Sequence, residues 1–346
     1  MRIKRFLPIA LVALAAVALA IVAGASASGK AHHAPAAHQA ALKVGLVTDI
    51  GGLNDRGFNH LAYVGLQQAQ KQLKVSGRVL ESKSATDYVP NLSSLAQQGY
   101  GMIIAVGFLM TDAVDQVAAQ FPNTKFAIVD VDATSIKDKP KNVQGILFKE
   151  QESGYLAGYL AGLVMKAKGG SQVAGTVGGL KIPPVDRYIA GFKAGLKKSD
   201  PAAKELNGYS QDFVDQAKCK EVALQQIAQG SQVEFQVAGG CGLGVLDAAK
   251  EKAIWGIGVD SDQSFLGKHI LTSAIKKVDQ GVFQTIQAAQ KGTFKGGTNR
   301  TFGVKQGGSG IGKISPKVSK AIQAKVFAVQ AQIKSGKIKN IPTIVP

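Results

Sequence analysis

Three carboxylates stand at the ends of apolar runs: Asp49 after Val44 to Thr48, Asp130 after Phe126 to Val129, and Asp260 after Ile257 to Val259. In open α/β sheets, ligands sit in the crevice beyond the carboxyl ends of the strands, so these three are expected on one edge. Ionised carboxylates accept several hydrogen bonds each, which is the chemistry needed to hold vicinal hydroxyls. Helix N-capping is the alternative use of any one of them. The first run leads through Gly51-Gly52 to Phe58-Asn59, a flat apolar face beside a bidentate amide. Phe213 lies in a loop after a strand of the second half, so two rings are available to sandwich a planar base; ordinary lobe packing is the other reading of each. The catalytic signatures G-x-S-x-G, H-E-x-x-H, the P-loop and the kinase set are all missing, so no catalytic residue, metal or cofactor is assigned. His60 and His269 read as surface or packing residues. Gly239-Gly240-Cys241-Gly242-Leu243-Gly244 follows a strand and opens a helix without G-x-G-x-x-G spacing. Its helix N-terminus, Gly240 included, offers N–H groups to a polar or anionic ligand atom. An enzyme using Asp49 or Asp260 would need a general base or metal cluster that the pattern does not supply.

The elements that must position these residues alternate with regularity. Apolar runs at 43–49, 78–83, 101–107 and 125–131 read as strands, with helical periodicity near 58–74, 88–98 and 111–120 between them. A second series has strands at 143–148, 172–178, 205–210 and 233–238, and helices near 151–167, 184–198, 215–229 and 243–252. Runs at 254–259 and 270–275 and a helix near 316–335 close the chain. Such alternation predicts parallel sheets with helices on both faces, and two series predict two similar lobes. Asp87 and Thr111 suit N-caps, Pro183-Pro184 a helix start, and Gly99 and Gly230 the C′ positions. Small residues recur every four positions through Gly154-Tyr155-Leu156-Ala157-Gly158-Tyr159-Leu160-Ala161-Gly162, a face for close helix packing; a short membrane segment is the alternative, bounded tightly by Glu150, Glu152 and Lys166. Glycines crowd 296–312, which reads as a loop or hinge crossing.

Arg2, Lys4 and Arg5, the apolar run Ile9 to Ala23 and Ala25-Ser26-Ala27 form a secretory signal pattern over 1–27, with an uncleaved anchor as the alternative. Residues 28–41 are rich in Ala, His and Pro and read as a flexible tether; His32, His33 and His38 there are assigned nothing specific. About 300 residues remain, enough for two domains with real cores. The formal charge is +18, and losing Arg2, Lys4 and Arg5 leaves it three lower, at +15. This predicts attraction to an anionic membrane or wall surface, with solubility as the plain alternative. Scattered lysines, scarce arginine and few aromatics between them argue against nucleic acid. Cys219 and Cys241 are either bridged, as an exported chain allows, or two small buried residues. No cysteine lies near residue 27, so the chain is expected to be exported to the periplasm, released, or held at the outer membrane face without a lipid anchor.

The chain resembles the basic membrane protein family of bacterial solute-binding proteins, which includes purine nucleoside receptors of ABC importers. The resemblance spans about 43–293 and rests on six ordered blocks. These are Thr48-Asp49-x-Gly51-Gly52-x-Asn54-Asp55-x-x-Phe58-Asn59, Glu152-x-Gly154-Tyr155-Leu156-Ala157-Gly158, and Gly178-Gly179-x-Lys181-Ile182-Pro183-Pro184-Val185. Ala238-Gly239-Gly240-x-Gly242-Leu243-Gly244, Gly258-Val259-Asp260-x-Asp262-Gln263 and Leu271-Thr272-Ser273-x-x-Lys276 complete the set. The resemblance implies an α/β, two-lobed type I periplasmic binding protein fold, with parallel sheets flanked by helices and a multi-strand hinge. The expected lobes are 42–148 plus about 256–300, and 149–255 plus about 301–346. It implies that Asp49 and Asn59 contact a nucleoside, that Phe58 and Phe213 stack on its base, and that Asp130, Asp260 and Lys276 grip the ribose. Tyr188 replaces an aromatic often found as Phe, and Asp212-Phe213-Val214-Asp215 departs from the usual spacing. The implied partner is an ABC permease, with the binding protein expected to be a monomer. A sensor presenting its closed form to a signalling receptor, or a binder of another sugar-like solute, are the alternatives.

Overall fold

The computed structural model describes residues 41–345. The expected signal segment, all but the last residue of the tether, and the three tether histidines lie outside the described residues. The first five strands are β1 (Lys43–Thr48), β2 (Ser76–Leu80), β3 (Met102–Val106), β4 (Lys125–Val129) and β5 (Val143–Phe148). The next five are β6 (Val173–Gly178), β7 (Lys204–Tyr209), β8 (Ser231–Val237), β9 (Trp255–Asp260) and β10 (Ile270–Lys276), followed by β11 (Thr298–Phe302) and β12 (Ser309–Ile311). They form two six-stranded sheets with the same order, β2-β1-β3-β4-β5-β11 and β7-β6-β8-β9-β10-β12. Among the described residues only the β10–β12 pairing is antiparallel.

Helices α1 (Phe58–Leu73), α2 (Tyr88–Gln97), α3 (Thr111–Gln120), α4 (Glu150–Lys168), α5 (Pro183–Ser199), α6 (Gln216–Ala228), α7 (Gly242–Glu251), α8 (Val278–Gln290) and α9 (Lys320–Lys334) cover the sheet faces. The apolar strand runs feed two cores at once, because alternate side chains point to opposite faces. Val44, Leu46, Met102, Ile104, Ala127 and Val129 pack under α1 and α8, whereas Val47, Ile103, Ala105, Phe126 and Ile128 pack under α2 and α3. The second sheet does the same between α4, α5 and α9 on one side and α6 and α7 on the other.

Each lobe lends a helix to the other. The helix after β5, α4, packs on α5 in the second lobe, and the helix after β10, α8, packs on α1 in the first. The chain therefore crosses between lobes three times, at Lys149, at Lys277 and through 303–308. The crossings are tied by Lys149 N–H to the Phe302 carbonyl and Lys277 N–H to the Gly308 carbonyl, both at 2.8 Å. The crowded glycines serve this third crossing and the turns beside it.

Several sequence expectations are corrected. Residues 256–300 do not return to the first lobe as a block: β9 and β10 pair with β8 and each other in the second sheet, and only α8 and β11 go back. The run 143–148, grouped with the second series by order, pairs with β4 in the first sheet. Hydrophobic periodicity identifies a strand but carries no information on its long-range partner. Asp87 caps no turn of α2; its carboxylate accepts the N–H groups of Lys83 and Ser84 before it. Thr111 lies inside α3 and donates its hydroxyl to the Phe108 carbonyl. Pro183-Pro184 does open α5, and Gly99 and Gly230 take positive φ at helix ends.

The glycine-every-four face of α4 is a helix seam. A methyl on Gly154 or Gly158 would collide with the carbonyls of Tyr188 or Phe192, and one on Gly191 or Gly195 with those of Gln151 or Tyr155. Both helices thus contribute glycines to one backbone-to-backbone contact. Among the described residues, no helix is long and apolar enough to cross a membrane.

Candidate functional site

All nine sequence-assigned residues, Asp49, Phe58, Asn59, Asp130, Tyr188, Phe213, Gly240, Asp260 and Lys276, line one cleft between the lobes. The lobes meet across it, where Ser261 Oγ donates to the Arg56 carbonyl at 2.7 Å. Phe58 comes from the first turn of α1, Tyr188 from the second turn of α5, and Phe213 from the loop between β7 and α6. The carboxylates come from strand ends.

Asp130 and Asp260 occupy equivalent positions in the two sheets, at the ends of β4 and β9, and both adopt positive φ, 70° and 63°. For a residue with a Cβ this conformation costs on the order of 1–2 kcal/mol, and such outliers cluster at functional sites. Asp130 is 5% exposed and its Oδ2 receives the Lys276 ammonium at 2.6 Å, while its Oδ1 has no partner. Asp260 Oδ1 accepts the Tyr188 hydroxyl at 3.1 Å, so that hydroxyl is spent holding a carboxylate in place.

At the other end of the cleft, Asn59 is a brace. Its amide donates to Asp49 Oδ1 at 2.7 Å and Asp55 Oδ2 at 3.1 Å, and its carbonyl accepts the Asp49 N–H at 3.3 Å. The expected free bidentate amide is therefore committed internally, and what faces the cleft is Asp49. Gly107, at φ 117°, makes room for it: a Cβ there would lie 2.7 Å from Asp49 Oδ2.

Lys276 is the hub of the site. It pairs with Asp130 and with Glu150 at 3.1 Å, and its ammonium lies 4.9 Å from the centre of the Phe58 ring and 5.3 Å from that of Phe148. Arg187 holds the other side of Glu150 at 2.6 Å. Burial works against the Lys276 ammonium, yet Asp130, Glu150 and Asp260 hold its pKa above the ordinary lysine value. Three carboxylates share two cations here, so the cluster carries surplus negative charge. Burial pushes Asp130 up to about 6 against the pull of Lys276, and Asp260 up to about 7. Asp49 is likewise raised by burial, to about 6.

Phe213 packs over Gly179, where any side chain would strike its ring, and its carbonyl accepts the Cys241 N–H at 3.0 Å. Cys241 is bridged to Cys219, which ties α6 to the loop that supports Phe213. Gly240, just ahead of α7, lines the cleft, while the N–H groups that follow it are engaged within the loops. The N–H groups of Cys241, Gly242, Leu243 and Gly244 all donate to nearby carbonyls of the surrounding loops.

Sequence reasoning missed Asp55, Glu150 and Arg187 as parts of the site. Asp55 stood in the quoted motif and accepts the N–H groups of Gly57, Asn59 and His60. Glu150 had no local signal, because the lobe crossing at Lys149 is what delivers α4 to the cleft, and Arg187 joins from α5 as its ion-pair partner.

The comparisons agree with this architecture. A 36% identical relative, the CD4+ T-cell-stimulating antigen of Listeria monocytogenes, is matched over 86% of this chain and 87% of its own length. The ABC transporter nucleoside-binding protein BmpA of Lactococcus lactis is 36% identical over 86% of this chain and 88% of its own. An uncharacterized lipoprotein of Pyrococcus furiosus is 34% identical over 87% of this chain and 75% of its own. The crystal structure of an ABC transporter solute-binding protein from Aeropyrum pernix superimposes with a TM-score of 0.78 at 27% identity, covering 87% of this chain and 94% of that one. The two lobes are those of the periplasmic binding protein fold.

The lipoprotein relatives correct one expectation. Relatives from Pyrococcus furiosus, Pyrococcus horikoshii and Pyrococcus abyssi are named lipoproteins, which runs against the expectation of an exported protein without a lipid anchor. The export expected from the sequence fits these relatives. The family described as ABC transporter substrate-binding protein PnrA-like matches residues 42–344. With both sheets, all three crossings and the cleft inside that span, the chain belongs to the Bmp family of PnrA-like ABC transporter substrate-binding proteins.

Proposed function

We propose that the cleft binds a purine nucleoside and hands it to an ABC permease. The base lies between Phe58 and Phe213, with Asp49, held by Asn59, facing its edge. The ribose hydroxyls donate to Asp130 and Asp260, and Lys276 donates to a ribose oxygen. One observation carries this reading: an aromatic ring from each lobe shares a cleft with two buried carboxylates, one of which has a free oxygen. Stacking supplies affinity for any flat base, and buried acceptors reject solutes that lack matching donors. The name of the Lactococcus relative supports the ligand class.

The charge surplus sharpens the specificity. Asp130, Glu150 and Asp260 outnumber Lys276 and Arg187, and Asp49 and Asp55 add further carboxyls to the cleft, so a phosphate would enter a site already rich in acidic groups. Nucleoside 5′-phosphates are excluded on this reading. Mass spectrometry of small molecules released by unfolding the purified protein tests it. A purine nucleoside is expected; a free sugar with no base would overturn the stacked-base arrangement.

A further inference from the structure

The last acidic residue of the chain is Asp279. From Gln280 to Pro346 there are ten lysines, one arginine and no aspartate or glutamate. None of the ten lysines takes part in an ion pair among the described residues, although nine ion pairs form elsewhere. This charge has no counterpart within the segment and is left for solvent or a partner.

Its arrangement narrows the partner. Helix α9 buries Val326, Val329 and Ile333 against the second lobe and turns another face outward. Lys320, Phe327 and Lys334 are spaced by seven residues, so they fall along nearly one line of that outer face. All three are exposed, and Phe327 is 49% exposed. Lys325 is exposed on the same helix, and Lys337 and Lys339 continue the charge beyond its end. Ile344, 74% exposed, adds a second apolar tip. A soluble polyanion would be matched by charge alone. Lysines flanking an exposed aromatic match a bilayer, whose headgroups take the ammonium groups while the ring enters the acyl boundary.

We infer that the outer face of α9 and the residues after it form a docking surface for membranes bearing anionic phospholipid headgroups. The surface lies on the outside of the second lobe and uses none of the cleft residues, so docking and solute binding are separable. Near an anionic bilayer the lysines are attracted to the headgroups, and the attraction is screened within a Debye length.

The test uses residues 41–346, because the cores of both lobes form entirely within the described residues and the apolar amino-terminal run would itself enter lipid. Co-sedimentation is measured with phosphatidylglycerol/phosphatidylcholine vesicles and with pure phosphatidylcholine vesicles. Binding is expected only to the former, and it should be abolished near 0.5 M salt. Replacing Lys320, Lys325, Lys334, Lys337 and Lys339 by Gln should weaken partitioning at least about tenfold. Replacing the exposed Lys71, Lys74, Lys83, Lys137 and Lys141 of the first lobe by Gln should change it less than about threefold. Phe327→Ala should weaken it several-fold. Equal losses for the two lysine sets, or no binding to anionic vesicles at low salt, would overturn the assignment. So would inorganic polyphosphate binding as tightly as vesicles with no effect of Phe327→Ala.

Discussion

At the scale of single residues, the cleft is a set of buried acceptors held in place by neighbours. Tyr188 fixes Asp260, Lys276 fixes one oxygen of Asp130, and Asn59 fixes Asp49. On the proposed reading, Asp130→Asn costs about 2 kcal/mol of nucleoside affinity, roughly thirtyfold, because it weakens a charge-assisted bond and disturbs the Lys276 pair. Calorimetric titration of the variant against the parent protein measures this. The raised carboxyls also give two opposed pH trends. Ribose hydroxyls donate to the ionised forms, so affinity should fall by a hundredfold or more, as an order of magnitude, between pH 8 and pH 5 as carboxyls near 7 and 6 protonate. Without ligand the sign reverses. A carboxyl whose folded pKa is raised contributes stability fully present below its unfolded value near 4, and lost as pH rises through 6 to 7. The ligand-free protein should therefore melt higher at pH 5 than at pH 8 as far as these groups act, while binding strengthens over the same interval. The site's acceptors and rings were legible in the sequence because strand-end position and residue type are local properties. The brace role of Asn59 was not, since it depends on the Asp49 loop folding back over α1.

At the scale of elements, the α4–α5 seam brings two helix backbones into direct contact, and the glycine spacing of the sequence pointed to it without naming the partner helix. Gly158→Val would drive a branched side chain into the Phe192 backbone, and an overpacked seam of this kind costs about 3 kcal/mol. Chemical denaturation should show the loss, and no compensating side-chain substitution on α5 should restore it, because the obstacle is main chain. In the core between β8 and α6, Glu234 is fully buried, both of its oxygens lack partners, and burial raises it to about 8. It is thus kept neutral below that pH. Glu234→Gln should stabilise the fold by roughly 3 kcal/mol at pH 7, with the gain vanishing near pH 4, where the unfolded chain is protonated as well. Denaturant midpoints across this range measure the difference. Most helix and strand identities were readable from period, but α8, β11 and β12 were not, and neither was the allocation of β9, β10 and β5 to sheets. Those assignments follow from pairings between distant residues, and the exchange of α4 and α8 between lobes has no signature in either helix.

At the scale of the whole molecule, two copies of one sheet order face each other, and the chain passes between them three times. The pairs formed by Lys276 with Asp130 and Ser261 with Arg56 join the lobes directly, so a ligand gripped by both sides adds to contacts that already favour closure. The membership of the chain among ABC substrate-binding proteins gives such closure its use, since a permease can then distinguish loaded from empty protein. The measurement that bears most directly on the ligand is isothermal calorimetry of residues 41–346, freed of bound solute by unfolding and refolding. The titrants are inosine, adenosine, guanosine, cytidine, ribose, adenine and a nucleoside 5′-phosphate. The account predicts tight binding of the purine nucleosides, with ribose, free base and phosphate ester each weaker by at least about a hundredfold. Binding of ribose as tight as that of the nucleosides would contradict the stacked base, and the absence of binding by every nucleoside would contradict the central claim outright.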